Sequence, residues 1–187
     1  MDSRSLAVRV VLAFGALPSL AYGQDDTHTP PTTPSEQKLM PNSPEQTISA
    51  LNDADRMLLR EQRAVVEKIL GDNEDSKRKY QTAAGKLGTI RAILEAGLYK
   101  PDQTHDLQCL GIVLGDAFVL DLGMEWIVVE DEYGRDAALR MPNTSIIIYP
   151  KTMISKRIER GEEVDVFDLY NYTAEQVEAL KQMPEKP

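Results

Sequence analysis

The chain has a single cysteine, Cys109, in 187 residues, so no disulfide can form within it. Histidine is nearly as scarce. His28 stands in a proline-rich stretch and His105 is the other, so a closed zinc site is out of reach without carboxylate ligands. Positive charge is in deficit, with 21 Lys and Arg against 30 Asp and Glu, a net −9. That balance argues against nucleic acid and anionic lipid as partners and allows a basic one, although acidic residues also simply serve solubility. No H-E-x-x-H or G-x-S-x-G motif occurs, and no internal repeat is visible. Neither a cofactor nor a metal is expected.

Export is written at the N-terminus. "MDSRSLAVRVVLAFGALPSLAYG" places Arg4 and Arg9 before a short apolar core, Val10 to Leu17. Ala21 and Gly23 then take the small-residue positions of a cleavage site, the order of a signal peptide. The apolar run falls short of the roughly 20 residues a membrane helix needs, and no second run follows, so no membrane span is expected. Residues 1–23 are thus expected to be removed, leaving a periplasmic or secreted protein that begins at Gln24. The removed segment carries two arginines and one aspartate, so the remainder carries −10. In the envelope ATP, NADPH and a reducing thiol pool are largely absent. The next stretch, "QDDTHTPPTTPSEQKLMPNSP", has five prolines and reads as a disordered linker over 24–43. Residues 44–187 form a single domain, long enough to bury a core unaided.

The periodicity predicts helices, then a small sheet, then helices. "SPEQ" at Ser43–Gln46 matches a capping box with Pro44 at the first helical position. Met57, Leu58, Val65, Ile69 and Leu70 follow near helical spacing, and Gly71 stops the run. "DNEDSKRKYQTAAGKLGTIRAILEAGLY" reads as one helix with Leu87, Ile90, Ile93 and Leu94 inward. A third helix begins near Asp102, with Leu107, Leu110, Leu114 and Phe118 as the buried face of an amphipathic helix. Gly111 and Gly115 leave room there for another backbone. "MEWIVVEDE", "AALRM" and "TSIIIYP" read as strands, the first two joined by a "YGRD" turn with Gly134 at positive φ. "KTMISKRIERG" reads as a short helix with Ile154 and Ile158 inward, and Lys156, Arg157 and Arg160 outward. "DVFDLYN" reads as one more turn, and Thr173–Gln176 as a second capping box opening a C-terminal helix. The expected class is α+β, with N-terminal helices, a small antiparallel sheet and C-terminal helices.

Three stretches, "LGIVLGDAFVLDLG", "MEWIVVEDEYGRDAALR" and "YPKTMISKRIERGE", resemble an uncharacterised bacterial family, the domain of unknown function 3806 type. The resemblance runs over about Leu51 to Tyr170 and implies no established activity. A likeness of type, without a shared motif, links the export signal and acidic charge to periplasmic immunity proteins that neutralise secreted antibacterial toxins.

The chemistry centres on "VVEDEYGRD". As a calcium loop it fails, because the acids due at positions 1, 3 and 5 before Gly134 fall on Val129, Asp131 and Tyr133. As a glycosidase pair, Glu130 and Glu132 would share one side of a strand, with roughly 5–9 Å between their carboxyl groups and one pKa raised by burial. A hairpin tip is wet, and that raised pKa is hard to supply. The expected form is a turn with an acidic rim, either solvated or in contact with a partner. The partner-binding residues are Glu130, Asp131, Glu132, Tyr133, Arg135 and Asp136, and no catalytic residue is assigned. Elsewhere, His105 and Cys109 sit four apart on one helix face, but a buried cysteine beside a helix-start histidine is the plainer reading. "TAAGKL" mimics the end of a phosphate loop, yet Tyr80 stands in place of its first glycine and Leu87 in place of Ser or Thr. "SKRK" at Ser76 satisfies S-x-x-K, but no SDN or KTG follows.

The sequence thus points to an exported binding protein, an immunity or inhibitor protein whose partner is a protein such as a basic toxin. The rivals are an envelope hydrolase using Glu130 and Glu132, and a structural envelope module.

Overall fold

A computed structural model describes residues 10–11, 46–132 and 134–182. The expected signal peptide, apart from Val10–Val11, and the expected linker lie outside the described residues, as does Tyr133. The fold is α+β. Strand β1 (Val10–Val11) is followed by β2 (Thr47–Ala50), α1 (Asp53–Leu70), α2 (Glu74–Tyr80), α3 (Ala83–Glu95) and α4 (Thr104–Leu122). Then come β3 (Glu125–Asp131), β4 (Gly134–Arg140), β5 (Ile146–Ile148), a 3₁₀ turn at Pro150–Thr152, α5 (Ser155–Glu159) and α6 (Val166–Lys181). Strands β2 to β5 pair antiparallel in the order β5-β4-β3-β2, and β1 adds to β5 in parallel.

Helix α4 is the centre of the molecule. It touches α1, α3, α5, α6 and the 3₁₀ turn. Residues 109–118 are buried without a break, so the helix is enclosed on all sides and not amphipathic as the spacing suggested. Burial of Leu107, Leu110, Ile112, Leu114 and Phe118, each 0% exposed, contributes about 1.5–3 kcal/mol per side chain. Phe118 stacks on Tyr170 of α6 at 4.7 Å. The expected close crossing occurs at Gly111: a Cβ there would lie 2.3 Å from the Lys151 carbonyl oxygen, so only glycine lets the 3₁₀ turn rest on α4. At Gly115 the space is taken by the Trp126 ring and Pro150.

Four expectations are corrected. The helix expected from Ser43 is absent at Gln46–Ala50, where Thr47–Ala50 pairs with Ile127–Glu130. Cross-strand pairing outweighs the local cap pattern, and the actual capping box joins Asn52 and Asp55. In α1, Met57, Leu58 and Ile69 are exposed, while Leu59, Gln62 and Val66 face inward. The second expected helix is broken. Thr82 caps α3 by accepting from the Gly85 N–H at 3.0 Å, and a Cβ on Gly85 would lie 1.8 Å from the Lys79 carbonyl oxygen. The C-terminal segment is one helix capped by Asp165. Thr173 lies inside it, buried, donating to the Leu169 carbonyl at 2.8 Å, the intrahelical bond open to a mid-helix threonine.

Candidate contact surface

The β3–β4 hairpin forms where expected, but Gly134, expected inside the turn, is already in the ladder, paired with Asp131. Gly134 has φ 128°, a value that favours glycine. β3 ends at Asp131, so Glu132 sits in the loop and does not share a strand face with Glu130.

Strand alternation then divides the acidic run. Glu130 and Arg135 stand opposite each other in the ladder, on the face that packs against the helices. Arg135 reaches Asp55 in the first turn of α1 through two hydrogen bonds, one of them Nη2 to Oδ2 at 2.7 Å, and approaches Glu130 at 3.9 Å. Asp55 also accepts from the Asn52 N–H at 2.8 Å. The Arg135 hydrogen bond, more than any other influence, lowers the Asp55 pKa from 3.8 to about 2. The second face carries Asp131 and Asp136. Asp136 accepts from Lys151 Nζ at 2.8 Å, and Gln46 donates to Asp131 at 3.4 Å. Glu130 and Glu132 are exposed.

A recess of about 320 Å³ opens beside the hairpin, lined by Val129, Asp131, Gly134, Arg135, Asp136, Tyr149 and Lys151. Its floor continues into a cluster of Ile127, Val129, Ala138 and Ile147, with Ile48 and Tyr149 against it. No helical residue belongs to that cluster among the described residues. Five carboxylates, Asp55 included, stand on or beside the hairpin, and Arg135 and Lys151 pair with Asp55, Glu130 and Asp136 among them, so the surface is negative, though less than the sequence suggested.

A second polar group lies inside the fold, and sequence reasoning missed it. Asp116, on α4, accepts from Arg63 Nε and Nη2 at 2.7 Å each and from Trp126 Nε1 at 3.0 Å. Lys86 Nζ lies 4.0 Å from Asp116 and 3.9 Å above the Tyr80 ring. Burial lowers the Lys86 pKa, partly opposed by Asp116. Asp116 is the lone acid within the apolar run "LGIVLGDAFVL", and a buried charge demands a partner. That was the available signal. The group ties α1, α3, α4 and β3 together, and its side chains are largely withdrawn from solvent.

The remaining candidates are placed plainly. Cys109 is 0% exposed, its Sγ 4.0 Å from His105 Nδ1, and burial pushes its thiol up to about 11. "TAAGKL" is the capped start of α3, and Ser76–Lys79 lies on α2. Among the described residues no group of three or more His, Cys, Asp or Glu could hold a metal ion, and no helix is long and apolar enough to cross a membrane.

The fold and site define an α+β domain with an acid-rimmed recess on one sheet face. Residues 86–170 match the family model described as Domain of unknown function (DUF3806), the family the sequence resembles. The match begins at Lys86, after β2, α1 and α2. A solved structure from Bacteroides thetaiotaomicron VPI-5482, a crystal structure at 1.50 Å resolution, is similar in fold with a TM-score of 0.56 and 14% identity. The similarity covers 70% of this chain and 48% of that one, so the chain spans about half the length of that structure. No curated protein matches the chain.

Proposed function

We propose that the chain is an exported protein that binds and neutralises a secreted protein, an antibacterial toxin with a basic contact surface. One observation carries the reading. Asp131 and Asp136 line a shallow recess beside Tyr149, and Glu130 and Glu132 are exposed on the same hairpin. An apolar floor within a charged rim is the anatomy of a protein-contact patch. Negative potential there speeds encounter with a basic partner more than it adds affinity. A hydrolase would instead need one carboxyl withdrawn from water, whereas Glu130 keeps 62% of its side chain exposed.

Envelope extract passed over wild-type protein and over the Asp131→Lys/Glu132→Lys variant tests this. Wild type retains a basic protein, and the variant, folded to the same circular dichroism spectrum, loses it. Retention by both variants alike, or hydrolysis of peptidoglycan by wild type that Glu130→Gln abolishes, sinks the proposal. N-terminal sequencing of envelope protein tests the export half and should begin at Gln24.

A further inference from the structure

We propose that the outer edge of β5 is a strand-acceptor site, held in the precursor by Val10–Val11 and taken after export by an extended apolar segment of a partner protein, parallel to β5. The proposal rests on the export reading, because cleavage before Gln24 removes β1.

β5 is bonded on one side to β4, through Leu139↔Ile148 and Arg140↔Ile147. On its other side Val10 pairs with Ile146 and Val11 with Ile147, in parallel. The Ile146 N–H and C=O are bonded to Thr144 and Met141, so loss of β1 turns β5 into an edge strand whose open groups are the N–H and C=O of Ile147. Natural edges are guarded by charged residues, proline, bulges or a covering loop. β5 is Ile146–Ile147–Ile148, each no more than 4% exposed, with no charge or proline inside the strand. The opposite edge differs. β2 reads Thr47–Ile48–Ser49–Ala50 and is exposed at three of its four positions, the polar character expected of an edge that faces water.

The pairing also specifies the occupant. An added strand supplies main-chain hydrogen bonds for affinity and alternating side chains for specificity. The edge already pairs with the backbone of Val10 and Val11, in register with Ile146 and Ile147. A parallel strand that continues past Ile147 runs beside Tyr149, at the mouth of the recess holding Asp131 and Asp136. The segment that fits is an extended β-branched pair followed within a few residues by Lys or Arg. Ile147 belongs to the second-face cluster and Tyr149 packs against it, so the strand-acceptor edge adjoins the recess that Tyr149 lines.

The probe is a labelled peptide of residues 6–14 of this chain with two lysines added at its C-terminus. It is titrated into envelope-purified protein that begins at Gln24 and into full-length protein purified with Met1 in place. Binding should occur to the processed protein and protect the Ile147 amide, the one β5 amide that faces the outer edge, from hydrogen exchange. It should weaken at least about ten-fold when the Val10 and Val11 nitrogens of the probe are methylated, since that removes ladder donors and keeps the side chains. The full-length chain, its edge occupied, should also bind at least about ten-fold more weakly. No binding to the processed protein, equal binding of the methylated probe, equal binding by the full-length chain, or protection that spares β5 would each overturn the strand-acceptor site. Envelope protein that retains Met1 would sink the export reading, a result read by sequencing alone and independent of the peptide.

Discussion

Asp116 is a single residue on which three neighbouring elements converge. Arg63, Lys86 and Trp126 all aim donors at its two oxygens, and it lies within the continuously buried stretch 109–118 of α4. Removing the acid leaves two cations and an indole N–H without their acceptor. Breaking a buried ion pair from one side costs about 3–5 kcal/mol, because the remaining charge stays desolvated. Asp116→Leu is therefore expected to lower stability by about 3 kcal/mol or more, measured from urea midpoints. Arg63→Met should cost less, because Lys86 and Trp126 still reach Asp116 and Arg63 itself is 27% exposed at the side chain. The reverse order of the two effects would show that Asp116 is not the hub.

Among the elements, the glycines of the helices separate packing from propensity. Gly111 and Gly88 both stand inside α-helices, and replacing glycine with alanine in a helix gains about 0.8–1 kcal/mol from propensity alone. At Gly88 a Cβ meets nothing within 4 Å, so Gly88→Ala should stabilise by up to about 1 kcal/mol. At Gly111 it meets the carbonyl oxygens of Lys151 and Pro150 at 2.3 and 2.6 Å. Those are backbone atoms that cannot rotate away, and overpacking of this kind costs about 1–3 kcal/mol. Gly111→Ala should thus destabilise, and thermal melts of the two variants in opposite directions would check it. This contrast also marks how far the sequence could be read. The Gly111/Gly115 spacing and the "TSIIIYP" run announced a close crossing and a buried strand because size and periodicity are local. The break at Thr82, the strand at Thr47–Ala50 and the inward face of α1 were not legible. Two of them depend on residues far along the chain, Ile127–Glu130 for β2 and Asp116 for Arg63 of α1, whereas the break at Thr82 is a local cap and close backbone contact that apolar periodicity does not register. Within the hairpin, the acids and turn were legible from local pattern. Their division onto two faces was only half so, because alternation is local but the Asp55 and Lys151 partners lie 80 and 15 residues away.

At the scale of the whole molecule, the hairpin and the helical layer are joined at the surface by Arg135 and Asp55. Asp55 also closes the capping box of α1, so one carboxylate holds both a helix start and the hairpin. Its side chain is 11% exposed because the guanidinium lies across it. With its pKa lowered from 3.8 to about 2, the folded state prefers the ionised form. A depressed folded-state pKa contributes stability that is fully present above the unfolded value and disappears as pH falls through the folded one. The pH window is therefore about 4 down to about 2. Asp55→Asn should be less stable than wild type at pH 6, and the gap should close as pH falls through that window, as read from urea midpoints at pH 6, 4, 3 and 2. Arg135→Gln should remove most of the same pH dependence, because without the guanidinium Asp55 loses the chief cause of its shift. If the Asp55→Asn gap stays constant from pH 6 to pH 2, Asp55 is not held ionised by the hairpin. The acidic surface is then positioned by its strand pairing alone.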